Sequence, residues 1–162
     1  MKKTILKKYA HLIATVGVNV KRGQEVFIYA ELDQPEFVRM VAEECYKAGA
    51  SRVTVEWTDQ ALAAMHTRRR TQKVLSTLTS YELEKWKYQA EVLPCKIYLI
   101  SEDPDGMAKV NQKKVAVAQQ AKMKLIKPIR DKMEDRYQWC IAAVPGAAWA
   151  KKVFPHLPKG KA

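Results

Sequence analysis

The sequence predicts an α/β fold, an open and mostly parallel sheet of about four to five strands with helices on both faces. Three observations predict it. Short unbroken apolar runs recur along the chain, as in strands buried on both faces. Stretches with three- and four-residue apolar spacing separate them, as in amphipathic helices. No linker, low-complexity tract or internal repeat interrupts the alternation, which implies right-handed β-α-β crossovers.

Ile5, Tyr9, Leu12, Ile13 and Val16 mark a first helix, stopped by Gly17. Val26 to Ala30 (VFIYA) reads as the first strand, after the turn at Arg22-Gly23. Phe37, Val38, Val41, Ala42 and Cys45 give a second helix, with Asp33 and Glu36 as a capping pair, Pro35 in the first turn and Gly49 as the C′ residue. Val53, Val55 and Trp57 form a second strand. A helix begins at Ala61, Leu62 and Met65, and another carries Leu83, Trp86, Ala90 and Leu93. This connection between strands is therefore longer than an ordinary crossover. Cys95 to Ile100 (CKIYLI) is the third strand. Ala118, Ala121, Leu125, Ile129 and Met133 line one face of a long helical segment, in which Pro128 predicts a kink or a break. Trp139 to Val144 (WCIAAV) is the fourth strand, and residues 147 to 153 start one more helix.

At 162 residues the chain has the length of one domain, able to bury roughly 68–70% of its unfolded surface. No apolar run is long enough to span a membrane, and Lys7 and Lys8 interrupt any signal-like h-region, so the expected location is the cytoplasm. Cys45, Cys95 and Cys140 are far apart and set in apolar runs, which suits reduced core thiols.

Several chemistries lack their residues. The first strand is followed by AELDQPEF, with no glycine to let backbone N–H groups approach a phosphate. His11, His66 and His156 are isolated, without metal-ligand spacing, and Ser51 and Ser101 have no nucleophile-elbow context. No cofactor is expected in this chain. Acidic residues do follow three successive strands: Glu31 and Asp33, then Glu56 and Asp59, then Glu102, Asp103 and Asp105. In an open parallel sheet these ends form the ligand edge. The same residues also suit helix caps (Asp33, Asp59) and a turn (Asp103-Pro104-Asp105-Gly106). The formal charge of +12 raises nucleic acid as a partner. Against it, the basic residues are dispersed, and Trp57, Trp86, Trp139 and Trp149 do not interleave with them.

Three segments carry a family resemblance: YAHLIATVGVNVKRGQEVFIYA (9 to 30), VRMVAEECYKAGASRVTVEW (38 to 57) and, most specifically, WCIAAVPGAAWAKKVFP (139 to 155). SEDPDGM and KLIKPIRDKM also fit. In these, and in order over essentially its whole length, the chain resembles the thermophilic-type metallo-aminopeptidases, the family of aminopeptidases T and S. The resemblance implies that residues 1–155 are an amino-terminal α/β domain and that 156–162 start a linker to an absent carboxy-terminal catalytic domain. There, two divalent metal ions (zinc, cobalt or manganese) would sit on Glu, His and Asp ligands with no counterpart here. It implies peptide substrates and a homodimeric parent, with this fragment inactive by itself. Gly146 departs from the hydroxyl residue expected after Pro145. Glu31, Glu56, Glu102, Asp103, Pro145 and Trp149 are the residues expected to face the cleft. The rival expectation is a free-standing basic α/β module that binds nucleic acid.

Overall fold

The computed structural model describes residues 2–156, so the linker expected at 156–162 lies, but for its first residue, outside the described residues. Two compact units are formed: Met1–Gln60, Pro94–Asp105 and Gln138–Ala162 make the sheet unit, and Ala61–Leu93 with Gly106–Tyr137 make a helical unit.

The sheet unit holds β1 (Glu25–Glu31), β2 (Arg52–Thr58), β3 (Cys95–Ile100) and β4 (Trp139–Ala143), all parallel, in the order β2-β1-β3-β4. β1 is central. Val26, Phe27, Ile28 and Ala30 are all buried, which is why its sequence shows no alternation. One face packs on α1 (Lys3–Leu12), the π-helical turn Ile13–Gly17 and α2 (Pro35–Lys47). There Val26, Ile28, Cys95, Ile97, Leu99 and Ala142 meet Ala10, Ile13, Phe37, Val38 and Val41, and Tyr9 stacks on Phe37 at 5.5 Å.

The first helix buries a face one step from the expected one. Ala10, Ile13 and Ala14 are in the core with Leu6 and Tyr9 beside them, whereas Ile5, Leu12 and Val16 are exposed. Both sets share the same three- and four-residue spacing, and a π-turn follows over Ile13–Gly17. Gly17 ends it where a Cβ would lie 2.8 Å from Cys140 Sγ. Gly49 follows α2 with φ +105°, as a C′ glycine does. The capping pair expected at Asp33 and Glu36 is absent. Gln34 occupies the N-cap, and Asp33 is held elsewhere. Cys45 and Cys95 are buried thiols and Cys140 is half-buried.

The helical unit contains α3 (Gln60–Arg69, from its second residue), α4 (Gln72–Ser76), α5 (Ser80–Val92) and α6 (Gln112–Arg130). The single turn α4, capped by Thr71, was too short to show a period. Thr79 and Glu82 form a reciprocal capping box on α5. α6 runs through Pro128 and stops two residues later, so the proline neither breaks nor starts it but lies in its final turn. Its buried residues are Ala118 and Ile126, with Met133 beyond. The expected Leu125 is exposed, and its neighbour Ile126 is the residue turned inward. Among the described residues no helix is long and apolar enough to cross a membrane. A final short helix, α7 (Ala147–Val153), belongs to the sheet unit.

Lys96 stands on the sheet face opposite α1, in register with Phe27 and Trp139, and is only 1% exposed. Burial pushes its ammonium down to about 8. Below that value both folded and unfolded chains carry the charge, and the folded one bears its desolvation. Between about 8 and the ordinary 10.5 the unfolded chain binds more protons, so stability rises with pH. Cys45, pushed up to about 12, acts oppositely only above the ordinary thiol value of 9.0. Urea midpoints measured on either side of pH 8 should therefore rise for the parent. In Lys96→Met they should not, and an unchanged pH slope in that variant would contradict the assignment.

Candidate functional site

The chain leaves β1 toward β2 on one side and reaches β3 on the other, so β1 and β3 are neighbours whose connections diverge. Such a switch point opens a crevice at the carboxyl ends of the strands. The expected acidic residues lie around it, and most have defined partners.

Glu31, at the end of β1, accepts from Thr58 Oγ1 at 2.7 Å and from the backbone N–H of Gln60 at 3.2 Å. It thus joins the ends of β1 and β2 and sits at the amino-terminus of α3, where a carboxylate is favoured. The Gln60 side chain continues the chain of bonds. Its Nε2 donates to Asp103 O at 2.9 Å and its Oε1 accepts from Asp103 N at 3.0 Å, which clips the loop after β3 to the end of β2. Asp103 Oδ1 in turn accepts from Asp105 N at 2.9 Å, closing the turn foreseen at 103–106. Asp105 pairs with Lys152 of α7 at 2.7 Å.

A second cluster lies at the switch point itself. The buried Ser101 donates to Asp33 Oδ1 at 2.5 Å, and Gln34 Nε2 lies 3.5 Å from Asp33 Oδ2. Gly146, the N-cap of α7, is pressed against both. A Cβ on it would stand 2.6 Å from Asp33 Oδ2 and 3.5 Å from Ser101 O. Ser101, Gln34 and Gln60 were not anticipated as site residues, since neutral polar residues after a strand carry no pattern of their own.

A hollow of about 260 Å³ opens beside these loops, lined by Gln60, Ile100, Glu102, Asp103, Pro104 and Trp149. The structure therefore brings Glu102, Asp103 and Trp149 together. Glu31 reaches the hollow only through Gln60. Pro145 is exposed just before Gly146. Glu56 lies two residues before the end of β2, in register with Tyr29, and is not part of the lining. Trp149 is half-buried, while Val153 and Phe154 are 55% and 50% exposed, so α7 ends in an apolar surface. A half-buried indole and carboxylates in one lining suit a cationic group, through the ring face and through charge. Among the described residues no three His, Cys, Asp or Glu side chains are grouped to hold a metal ion.

The contact of Gly146 with Asp33 is testable. Gly146→Ala should destabilise the chain by about 1–2 kcal/mol, by pushing the Asp33 carboxylate off the Ser101 hydroxyl. In Asp33→Ala the same change at 146 should cost much less, so a double-mutant cycle by urea denaturation should show coupling. Additive costs would mean that the two residues do not meet.

The fold and these segments have clear relatives. Residues 2–162 match the family described as thermophilic metalloprotease (M29). Aminopeptidase AmpS of Bacillus subtilis is 31% identical over 151 residues, 93% of this chain and 37% of its own length. Aminopeptidase T of Thermus thermophilus is 30% identical over 158 residues, 97% of this chain and 39% of that protein. The solved structure of wild-type AmpT from Thermus thermophilus superposes with a TM-score of 0.85 and 31% identity, over 97% of this chain and 40% of that one. The chain spans about two fifths of the length of the relatives it matches. On these matches the chain belongs to the thermophilic metalloprotease (M29) family, whose named relatives are aminopeptidases.

Proposed function

We propose that this chain is the amino-terminal, non-catalytic domain of a two-metal aminopeptidase that releases N-terminal amino acids from peptides, and that it shapes and covers the active-site cleft. The supporting observation is the asymmetry of coverage: nearly all of this chain aligns with only two fifths of each aminopeptidase. The carboxylates at the sheet edge support the same reading. Glu31, Asp33, Asp103 and Asp105 are engaged by hydroxyl, amide and ammonium donors of the sheet unit, as positioning groups are.

In this reading two divalent ions (zinc, cobalt or manganese) would be held by the catalytic portion and would supply Lewis-acid chemistry there for water activation and carbonyl polarisation. This chain's own residues do something else. Gln60 and Glu31 fix the loop after β3, so that Glu102, Asp103 and Trp149 present one wall of the cleft. The half-exposed end of α7, with Val153 and Phe154, docks on the catalytic portion. Such an apolar patch otherwise promotes association. The enzyme acts on peptides in the cytoplasm, as a homodimer.

Hydrolysis of an aminoacyl-nitroanilide with added zinc, cobalt or manganese tests the assignment. The 162-residue chain alone should show no turnover, whereas the chain joined to a catalytic portion should show metal-dependent turnover. In the joined protein Trp149→Ala should raise KM for peptides several-fold with a smaller change in kcat, since it removes binding rather than chemistry. Metal-dependent turnover by the pure 162-residue chain would overturn the proposal.

A further inference from the structure

The basic residues, dispersed along the sequence, are concentrated by the fold in one of its two units. The helical unit carries fifteen Lys and Arg against six Asp and Glu, a formal +9 of the total +12. Its six carboxylates are confined to α5 and to the segment after α6. From Ala61 to Tyr81, and from Gly106 to Arg130, there is no acidic residue. Those two segments contain α3, α4 and α6.

The helices are tied so that their cations share a surface. Lys114 Nζ donates to the carbonyls of Thr67 and Arg70, both at 2.6 Å, and Gln72 Nε2 donates to Lys114 O at 3.3 Å. The run Arg68-Arg69-Arg70 is thereby held against the first turn of α6. Lys114 bonds to carbonyls there, so its charge adds to the surface rather than being neutralised. Arg68, Arg69, Arg70, Lys73 and Lys113 are exposed around it. A hollow of about 360 Å³, lined by Gln72, Asn111, Lys113, Lys114 and Val117, opens at the same place. Along α6, Lys113, Val117, Gln120, Lys124 and Lys127 repeat at alternating steps of four and three. They form a stripe roughly 21 Å long at 1.5 Å per residue. Lys127 at its far end pairs with Asp131, and Lys122 to one side pairs with Glu82.

An ordinary solvated face mixes both signs, and a field of one sign serves to steer or hold an oppositely charged partner. Two observations select the class of partner. Val74 and Val117 are exposed among the cations, so the surface is apolar as well as basic. In addition, α3, α4 and α6 contain no Phe, Tyr or Trp on which an unpaired base could stack. A phosphate backbone offers nothing to the valines, whereas a polypeptide can offer carboxylates and aliphatic side chains together. We propose that α3, α4 and α6 form a docking face for an acidic polypeptide segment that carries apolar residues among its carboxylates. Arg68 to Arg70 take carboxylates as bidentate donors, and Lys113 and Lys124 set the line of the bound segment.

Fluorescence anisotropy of a labelled Glu/Leu peptide, titrated with the 162-residue chain, tests this. Binding should weaken with rising salt. It should fall about tenfold in the Arg68→Gln, Arg69→Gln, Arg70→Gln variant, and several-fold in Lys113→Gln, Lys124→Gln. The second variant alters exposed side chains on one helix and serves if circular dichroism shows the first to be misfolded. Lys2→Gln, Lys3→Gln in the sheet unit should bind like the parent. A Glu-only peptide should bind more weakly than the Glu/Leu peptide. Failure of the Glu/Leu peptide to bind, equal loss in the Lys2, Lys3 control, or tighter binding of duplex DNA would each overturn the proposal. None of these outcomes depends on peptidase activity, so the inference stands or falls apart from it.

Discussion

The position of β1 between β2 and β3 is the constraint on which the sheet unit depends. A strand paired on both sides exposes neither edge, and Val26, Phe27, Ile28 and Ala30, which fall on both faces of β1, are all buried. Because β1 connects to β2 on one side while β3 returns on the other, the loops after β1 and β3 diverge and a crevice is left between them. Everything at the candidate site follows from that geometry. Asp33 and Ser101 meet because their strands are adjacent. Glu31 reaches Gln60 because β2 ends beside β1.

The carboxylates that look like a ligand cluster in sequence divide by role in the structure. Glu31 satisfies the orphan N–H at the start of α3, and Asp103 closes a turn. Asp33 holds a buried hydroxyl under the backbone of Gly146. Glu102 and Trp149 remain with open faces in the hollow. The pattern is that of a scaffold which fixes the loops at the carboxyl ends of the strands. Charge divides as well: the sheet unit is nearly balanced and the helical unit is strongly basic.

Much of the fold was legible because buried parallel strands and amphipathic helices write themselves as distinct periods. VFIYA and CKIYLI are strands where expected, and Gly49 has the positive φ its place after α2 foretold. What was missed has local causes. The first helix turns Leu6, Ala10 and Ile13 inward and leaves Ile5, Leu12 and Val16 exposed, and both sets share the three- and four-residue spacing, so the period alone does not choose between them. Asp33 has the right spacing for a cap, but the neighbouring Ser101 hydroxyl, sixty-eight residues away in sequence, takes its carboxylate. Among the site residues, Glu102 and Asp103 follow a strand end as the sequence indicates, and Trp149 joins them in the hollow from α7. Glu56 could not be separated from them, because its offset of two residues from the end of β2 is a matter of register.

In the proposed enzyme the carboxyl edge of the sheet and α7 face a catalytic portion. Amide hydrogen exchange over residues 101–106 and 145–154 tests it most directly, measured in the 162-residue chain and in the chain joined to that portion. Both segments should gain strong protection in the joined protein, with Trp149 fluorescence shielded from a soluble quencher. Equal exchange in the two forms, with Trp149 equally quenched, would contradict it.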